Sequence, residues 1–171
     1  AALMRLSEQG ARHYTRAAVG GRIKDSRTGQ SVWVDAPDLA RQIFERMRPF
    51  LAEEWVVGGT GKAKGKWRLV GLNERLRFLK YNTGEFFEQH PDGWWPRHFT
   101  NERSFATLLL YLNEDYRGGS TTIWNATRNQ RGAWTGPHGE RADPGIAVPP
   151  RIGMVLVHDH DLLHESPPLL E

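Results

Sequence analysis

Hydrophobic residues recur at two different spacings along the chain. Between Pro37 and Glu53, apolar residues return every three or four positions, which is the repeat of an amphipathic helix with one buried face. Asp35 stands just before Pro37, and we expect its carboxylate to cap a helix that has proline in its first turn. The helix is therefore predicted to run from Pro37 to about Glu53. The mixed, polar residues before Gln30 predict at most a short strand or an ordered arm.

From Trp67 onward the chain consists of short segments rich in β-branched, aromatic and leucine residues, divided by Gly, Pro, Asn and Asp. Such segments are typical of strands bounded by turns. Many short strands without helices between them favour a sandwich, barrel or jelly roll over a parallel sheet. The predicted strands are Trp67–Leu72, Arg75–Tyr81, Glu85–His90, Phe105–Asn113, Ser120–Trp124, Ile146–Val148, Gly153–Val157 and Leu162–Glu165.

Two polar segments interrupt this pattern. The run GGTGKAKGKW, from Gly58 to Trp67, alternates glycine and lysine, but it lacks the GxxxxGK[ST] spacing and the following helix that a phosphate-binding P-loop requires. We interpret it as a hairpin or substrate-side loop. The second segment, from Asn125 to Gly145, is longer than ordinary connections and is typical of a binding loop, a lid or a disordered stretch.

Composition restricts the class of protein. The 171 residues are 39% hydrophobic and 25% charged, which indicates one globular domain with its own core. We assign residues 1–66 to a supporting, helical region and residues 67–171 to the strand-rich core. The chain contains 23 Lys and Arg and 20 Asp and Glu. This excess of positive charge is too small to indicate nucleic-acid binding.

Neither a membrane span nor cysteine chemistry is indicated. No apolar run approaches the roughly 18 residues that a membrane span needs. Ala1 is not an initiator methionine, so we expect trimmed termini, with the cytoplasm as the favoured compartment. The absence of cysteine excludes disulfides, thiol catalysis, cysteine-ligated zinc and iron–sulfur clusters, and leaves His, Asp and Glu as the side chains that could bind a metal.

Histidines are the main candidates for metal ligands. His90 and Asp92 are two positions apart at the end of a predicted strand, so their side chains project from the same side of an extended chain. A third ligand could come from VLVHDHDLLHES. If this run is extended, His158, His160 and His164 share one parity, and alternation cannot choose among them. Two histidines and one carboxylate form the facial triad of non-haem Fe(II). The other histidines lack ligand-like spacing and are interpreted as surface or hydrogen-bonded residues: His13, His98 and His138.

Three blocks of the chain form a more specific pattern. They are RFLKYNTGEFFEQHPDG from Arg77, FATLLLYLNEDYRGGST from Phe105 and PRIGMVLVHDHDLLHES from Pro150. Together they resemble, in the right order, the 2-oxoglutarate and Fe(II)-dependent oxygenases of the prolyl 4-hydroxylase-like group. The resemblance implies a double-stranded β-helix (jelly roll) with the N-terminal helix packed on one sheet. It also implies that the metal ligands are His90, Asp92 and His164.

The resemblance further implies a site for 2-oxoglutarate. Tyr81 and Tyr111 occupy positions where tyrosines of similar enzymes hydrogen-bond this co-substrate, and Thr107 lies on the same face of its strand as Tyr111. Considered alone, both tyrosines are equally typical of side chains that pack a barrel interior. We therefore expect three co-substrate contacts, from Tyr81, Thr107 and Tyr111, with the barrel interior as the alternative.

A basic residue is expected to complete that site. Similar enzymes anchor the distal carboxylate of 2-oxoglutarate with a lysine or arginine on the last core strand, roughly nine residues after the second histidine. Because Glu171 precedes that position, we expect the anchor and the final strand to follow Glu171. Lys80 and Arg151 are internal basic residues, but neither stands where the resemblance requires the anchor.

The activity that the resemblance implies is hydroxylation by a 2-oxoglutarate-dependent dioxygenase. Fe(II) would bind 2-oxoglutarate at two open positions and O2 at the third, and succinate and CO2 would be released. Asp92 fills the position that halogenating relatives leave for chloride, so hydroxylation is favoured over halogenation. Prolyl residues of a protein or peptide are the first candidate substrate, and small molecules are the second.

Several alternatives remain open from the sequence. Trp94, Trp95 and Phe99 could line an aromatic entrance together with the segment 125–145, or the two tryptophans could be core residues. A non-catalytic, cupin-like jelly roll that binds a metal or another ligand would keep the same strands. A zinc hydrolase would need a general base beside the metal, and Glu165, next to His164, should face the opposite side of its strand.

Overall fold

The computed structural model describes residues 2–9, 14–16, 26–57, 64–97, 99–124, 127–128, 134–135 and 145–171. Two α-helices span Ala2–Gln9 (α1) and Pro37–Met47 (α2), and a 3-10 turn follows at Arg48–Phe50. The strands are β1 Thr15–Arg16, β2 Gln30–Asp35, β3 Glu54–Val57, β4 Gly65–Arg68, β5 Arg75–Lys80, β6 Phe87–His90, β7 Ala106–Leu110, β8 Thr121–Trp124, β9 Thr127–Arg128, β10 Trp134–Thr135, β11 Ile146–Val148, β12 Val155–Asp159 and β13 Leu163–Ser166.

The chain divides into two compact units. One contains Ala1–Val32 and Leu79–Glu171, and the other contains Trp33–Phe78. The expected division between a supporting region at 1–66 and a core at 67–171 stays a prediction. Neither of the two described helices is long and apolar enough to cross a membrane.

The first unit contains the jelly roll. Its larger sheet has the strand order β11-β8-β13-β6, and β12 pairs with β7 in a second, two-stranded sheet. The chain passes from β6 to β7 to β8, and from β11 to β12 to β13, so it alternates between the two sheets. All of these pairings are antiparallel. This is the double-stranded β-helix that the sequence predicts.

Strand β13 has a central place in the larger sheet because it pairs on both of its edges. His164 lies opposite His90 of β6 on one side and opposite Ile123 of β8 on the other. Leu163 on the same strand is one of the most buried apolar residues, with 5% of its surface exposed. Buried polar residues are unusually frequent around these strands: Arg27, Thr121, His158, His160 and His164.

The second unit contains α2 and the hairpin of β3 and β4. Trp55 lies opposite Trp67 in this antiparallel pair, so the run of glycines and lysines connects a hairpin, as predicted. Residues 58–63 of that run are outside the described residues. Strand β3 was not predicted, because Glu54–Val57 falls between the predicted helix and the glycines and is too short for a clear alternation.

The predicted helix is present, but both of its ends differ from the prediction. It ends at Met47 instead of Glu53, because Pro49 has no N–H for the helical ladder and its ring clashes with the preceding turn. Asp35 does not cap it. The N-cap residue is Ala36, without a side-chain cap, because Asp35 still belongs to β2 and its carboxylate lies 3.5 Å from Arg75 Nε. The packing of this helix on a sheet stays a prediction.

Other elements also differ from their predictions. Residues Ala2–Gln9 form a helix where a short strand or an ordered arm was expected, because a segment of eight residues offers too few apolar repeats for the helical period to stand out. Each of the eight predicted strands has an observed counterpart, and Ile146–Val148 has the predicted bounds. The strand predicted over Gly153–Val157 instead runs to Asp159, because His158 and Asp159 continue the ladder opposite Thr107 and Ala106.

Candidate metal centre

The structure brings the three predicted metal ligands together. The ligand atoms of His90, Asp92 and His164 all lie within 4.8 Å of one another. His90 Nε2 is 3.8 Å from Asp92 Oδ1, and His164 Nε2 is 3.8 Å from Asp92 Oδ2. Two atoms that each bind one ion at about 2.1 Å can be separated by up to about 4.2 Å. The spacing between the carboxylate and each imidazole therefore fits a shared metal ion.

Backbone carbonyls orient both imidazoles. His90 Nδ1 donates to the Glu88 carbonyl at 2.7 Å, and His164 Nδ1 donates to the Leu162 carbonyl at 3.0 Å. A neutral imidazole carries one proton, so a proton on Nδ1 leaves the lone pair on Nε2. Both Nε2 atoms therefore point to the cluster in the form that a metal requires.

Asp92 is held by its backbone and by its side chain. Its N–H donates to the His160 carbonyl at 2.9 Å, and the N–H of His160 donates to the Phe105 carbonyl at 2.9 Å. The Thr107 hydroxyl donates a hydrogen bond to Asp92 Oδ2. The turn after β12 and the first residues of β7 thus fix the position of the carboxylate.

The pKa shifts of the three side chains leave them in the protonation states that bind a cation. Burial lowers the pKa of His90 to about 4 and also lowers the pKa of His164. Burial opposes ionisation of Asp92, but the Thr107 hydroxyl and the nearby histidines outweigh it and hold the pKa of this carboxyl below its usual value. At neutral pH the cluster therefore consists of two neutral imidazoles and one carboxylate, which suits a divalent metal.

We expect the metal-free protein to lose stability as the pH falls from about 6.5 towards about 4. An ordinary histidine in the unfolded chain has a pKa near 6.5, whereas burial lowers the pKa of His90 to about 4 in the fold. Between these values the unfolded chain binds more protons, so the contribution of His90 is complete above pH 6.5 and is lost as the pH falls.

Urea unfolding at several pH values, with a chelator present, measures this effect. His90→Phe should lose less stability between pH 7 and pH 5 than the wild type, because its side chain cannot be protonated. An equal loss in both proteins would contradict the assignment to His90.

A stack of side chains lies behind His90. The Phe87 ring packs on the His90 imidazole with centroids 3.5 Å apart, and the Arg27 guanidinium lies 4.3 Å from the centre of the Phe87 ring. Arg27 has only 2% of its surface exposed, and its Nη2 is 3.5 Å from the Tyr81 hydroxyl. Tyr81 is thus beside a buried positive charge, in contact with the stack that supports the first ligand.

The other two predicted co-substrate residues have different partners. Thr107 bonds Asp92, which makes it a neighbour of the metal ligands, and its contact with 2-oxoglutarate stays a prediction. The Tyr111 hydroxyl lies 2.7 Å from Thr121 Oγ1, and burial raises the pKa of Tyr111. Thr121 ends the block that contains GGST, but no spacing or motif in the sequence marked it as a site residue. Thr121 is buried, with 4% of its surface exposed.

The three histidines between which alternation could not choose, His158, His160 and His164, lie at different positions relative to the cluster. His164 joins the cluster from β13, whereas His158 lies in β12, with its Nε2 4.0 Å from Asp92 Oδ2. His160 follows β12 and supports Asp92 through its backbone, and burial lowers the pKa of its imidazole. The remaining three, His13, His98 and His138, are outside the described residues.

The aromatic residues that follow Asp92 are exposed. Trp94, Trp95 and Phe99 have 57%, 60% and 100% of their surface accessible, so the interpretation of the tryptophans as core residues is wrong. Trp95 exchanges two hydrogen bonds with Ser104, through its N–H and its carbonyl. The Arg103 guanidinium lies 4.4 Å from the centre of a Trp94 ring. These contacts hold Trp94 and Trp95 beside Arg103 and Ser104, while more than half of each tryptophan stays exposed to solvent.

Residues considered for other roles do not join the cluster. Lys80 and Arg151 are exposed, and the predicted anchor after Glu171 stays a prediction. Most of the segment 125–145 is outside the described residues. Glu165, the candidate base of a zinc hydrolase, follows His164 in β13, and alternation turns it to the opposite face of the sheet; burial raises its pKa.

Two known proteins are similar to this chain over most of its length. No family model matches the chain. "Probable prolyl 4-hydroxylase 7" of Arabidopsis thaliana is 24% identical over 192 residues, which cover 97% of this chain and 56% of the relative. The chain thus spans about half the length of this curated relative.

A solved structure has a similar fold. A crystal structure of a Pseudomonas putida prolyl-4-hydroxylase matches with a TM-score of 0.59 at 17% identity, covering 99% of this chain and 79% of that one. The jelly-roll fold is shared. The resemblance to the prolyl 4-hydroxylase-like oxygenases, predicted from three sequence blocks, is confirmed by the curated relative.

Proposed function

We propose that this protein is a dioxygenase that uses Fe(II) and 2-oxoglutarate to hydroxylate its substrate. The observation that carries the proposal is the convergence of two neutral imidazoles and one carboxylate, from His90, His164 and Asp92, within 4.8 Å. This donor set leaves open positions on a six-coordinate Fe(II) and is typical of non-haem oxygenases. The two prolyl 4-hydroxylase relatives support the same reaction class.

The ligands and their neighbours have separate tasks in this proposal. His90, Asp92 and His164 would hold Fe(II), and Thr107 fixes the Asp92 carboxylate through its hydroxyl. When bound, Fe(II) with 2-oxoglutarate and O2 supplies the oxidation, and succinate and CO2 are released. The chain itself sets the geometry: the oriented imidazoles and the hydrogen-bonded carboxylate need little rearrangement when the ion arrives.

We propose that the hydroxyl pair of Tyr111 and Thr121 and the hydroxyl of Tyr81 bind 2-oxoglutarate. In the pair of Tyr111 and Thr121, one hydroxyl donates to the other at 2.7 Å, so one hydroxyl proton remains available to a carboxylate. Tyr81 offers a second hydroxyl, beside the buried Arg27 guanidinium. Both sites are electrostatically suited to an acidic co-substrate, because a partly buried donor binds a carboxylate more strongly than an exposed one does.

We propose prolyl residues of a peptide or protein as the first substrate class. Trp94, Trp95 and Phe99 lie close in sequence after Asp92 and are exposed. Proline-rich segments adopt extended helices that pack their rings on aromatic side chains at little cost in entropy. Small molecules remain the second candidate substrate class.

The test is anaerobic reconstitution with Fe(II), followed by addition of 2-oxoglutarate and oxygen, with succinate as the readout. Slow succinate formation without a substrate and faster formation with proline-containing peptides are expected. Succinate that no peptide stimulates would keep the oxygenase and redirect the search to small molecules. A folded, iron-loaded protein that forms no succinate would overturn the proposal in favour of a non-catalytic jelly roll that binds a metal.

Trp95→Ala is expected to raise the KM for a proline-containing peptide about fivefold, because one aromatic contact contributes on the order of 1 kcal/mol. Steady-state kinetics across a range of peptide concentrations measure this change. Ile152→Ala is the matched control, because Ile152 is also apolar and 62% exposed, and its KM should stay at the wild-type value. An unchanged KM in Trp95→Ala would remove Trp95 from the substrate surface.

A further inference from the structure

Arg27 is a buried cation without an anionic partner among the described residues. Only 2% of its surface is exposed, and its Nε has no hydrogen-bond partner there. Within the described part of the chain, its guanidinium has one polar partner, the Tyr81 hydroxyl, 3.5 Å from Nη2, which is longer than an ordinary N–H···O hydrogen bond. Burying a charge is costly unless an opposite charge or strong hydrogen bonds compensate for it. A buried guanidinium of this kind therefore calls for an anion beside it.

Backbone pairing with β6 places Arg27 next to the metal centre. Arg27 lies opposite Phe87 in an antiparallel bridge, and backbone hydrogen bonds of 2.9 and 3.1 Å join residues 26–28 to residues 86–88. The Arg27 guanidinium lies 4.3 Å from the centre of the Phe87 ring, and the His90 imidazole packs on the same ring. One side chain therefore separates the buried positive charge from the first metal ligand.

Gly29 allows the Tyr81 ring to approach the same segment. A Cβ at position 29 would lie 2.5 Å from Cε1 and 2.6 Å from Cδ1 of Tyr81, which is far inside the contact distance of two carbon atoms. Only glycine therefore leaves room for the ring in this position. Because a guanidinium can only donate, the Tyr81 oxygen accepts from Arg27 and its own proton stays available to a ligand.

We propose that Arg27 and Tyr81 form a carboxylate-binding site beside the metal centre, separate from the basic anchor expected after Glu171. A guanidinium matches the two oxygens of a planar carboxylate through parallel N–H bonds, and the Tyr81 hydroxyl adds a third donor. The inference rests on the proposed function, which supplies two sources of a carboxylate. One source is 2-oxoglutarate, and the other is an acidic residue next to the proline of the substrate.

Isothermal titration of the Zn(II)-loaded protein tests the proposal without turnover. The first titrant is 2-oxoglutarate. Two proline-containing peptides, which differ only by glutamate or glutamine next to the proline, are then titrated into protein saturated with 2-oxoglutarate. Arg27→Met keeps an unbranched side chain over Phe87 but removes the charge and the donors. Its affinity for 2-oxoglutarate or for the glutamate peptide should fall about 10–100-fold, the usual effect of losing hydrogen bonds to a charged group. The ligand that is affected identifies the source of the carboxylate.

Arg77→Met is the matched control, because the Arg77 guanidinium also packs on an aromatic ring, 5.0 Å from the centre of a Trp33 ring. It should bind every titrant as the wild type does. Tyr81→Phe removes only the hydroxyl and should weaken binding of the same carboxylate about two- to tenfold. This second variant decides the question if Arg27→Met does not fold, and an unchanged affinity for both carboxylates would then overturn the proposal.

Three other results would also overturn the proposal. They are a wild type that binds neither carboxylate, an Arg27→Met variant that binds all titrants as the wild type does, and an equal loss for the glutamate and glutamine peptides with 2-oxoglutarate unaffected. A fall in Zn(II) affinity alone would likewise show that Arg27 only supports Phe87 and His90. Succinate formation is measured separately. A wild type that binds a carboxylate through Arg27 but forms no succinate would retain this site and contradict only the proposed function.

Discussion

Asp92→Asn is expected to weaken Fe(II) binding by at least about 100-fold and to abolish succinate formation. The amide has the size of the carboxylate but no charge, and it replaces an anionic ligand that lies within 3.8 Å of both His90 Nε2 and His164 Nε2. The Thr107 hydroxyl can still donate to an amide oxygen, so the fold around position 92 should persist. Isothermal titration under anaerobic conditions gives the affinity, and succinate assays give the activity.

The matched control for this substitution is Asp161→Asn. Asp161 is an exposed carboxylate in the turn between β12 and β13, and the change removes the same charge from the same region of the chain. It should bind Fe(II) and form succinate as the wild type does. If Asp92→Asn retained wild-type affinity for Fe(II), the metal would have to be held elsewhere and the proposed site would be wrong.

Thr107→Val is expected to lower Fe(II) affinity about 10–100-fold, which is the usual effect of removing a partner that orients a metal ligand. Valine keeps the shape of threonine and suits a strand such as β7, but it cannot donate to Asp92 Oδ2. The freed carboxylate can then rotate, and it loses a contact that lowers its pKa. The measurement is the affinity for Fe(II) or Zn(II) in the absence of 2-oxoglutarate.

Thr107→Ser retains the hydroxyl and should restore most of the affinity. This pair of variants also separates the two roles considered for Thr107. If Thr107→Val bound the metal with wild-type affinity and changed only the KM for 2-oxoglutarate, the residue would contact the co-substrate, as the sequence resemblance implies, and would not act through Asp92.

The local part of the metal site was predictable from the residues themselves. His90 and Asp92 are two positions apart at a strand end, and the alternation of an extended chain is a property of the backbone. His164 was not predictable in that way, because its place depends on the register between β6 and β13, which are distant in sequence. Only the resemblance of a whole block selected it over His158 and His160.

The errors have similar causes. Alternation could not choose between His158 and His164, because it compares positions within one extended run, whereas a turn separates β12 from β13 and puts them in different sheets. Residue type suggested buried tryptophans after Asp92, but exposure depends on the neighbours that the fold supplies, and Trp94 and Trp95 face solvent. Asp35 is a residue type that commonly caps helices, but it is the last residue of β2 and its carboxylate lies near Arg75.

The pairing of β6 with β13 also affects the kinetics of folding. His90 and His164 face each other across this ladder, although most of the jelly-roll strands lie between them in sequence. Closing so long a loop costs entropy before any contact is gained, and contacts of this kind slow folding. A complete set of ligands therefore exists only after that closure. A bound ion would then act as a clamp that slows the opening of the native protein and leaves its rate of formation unchanged.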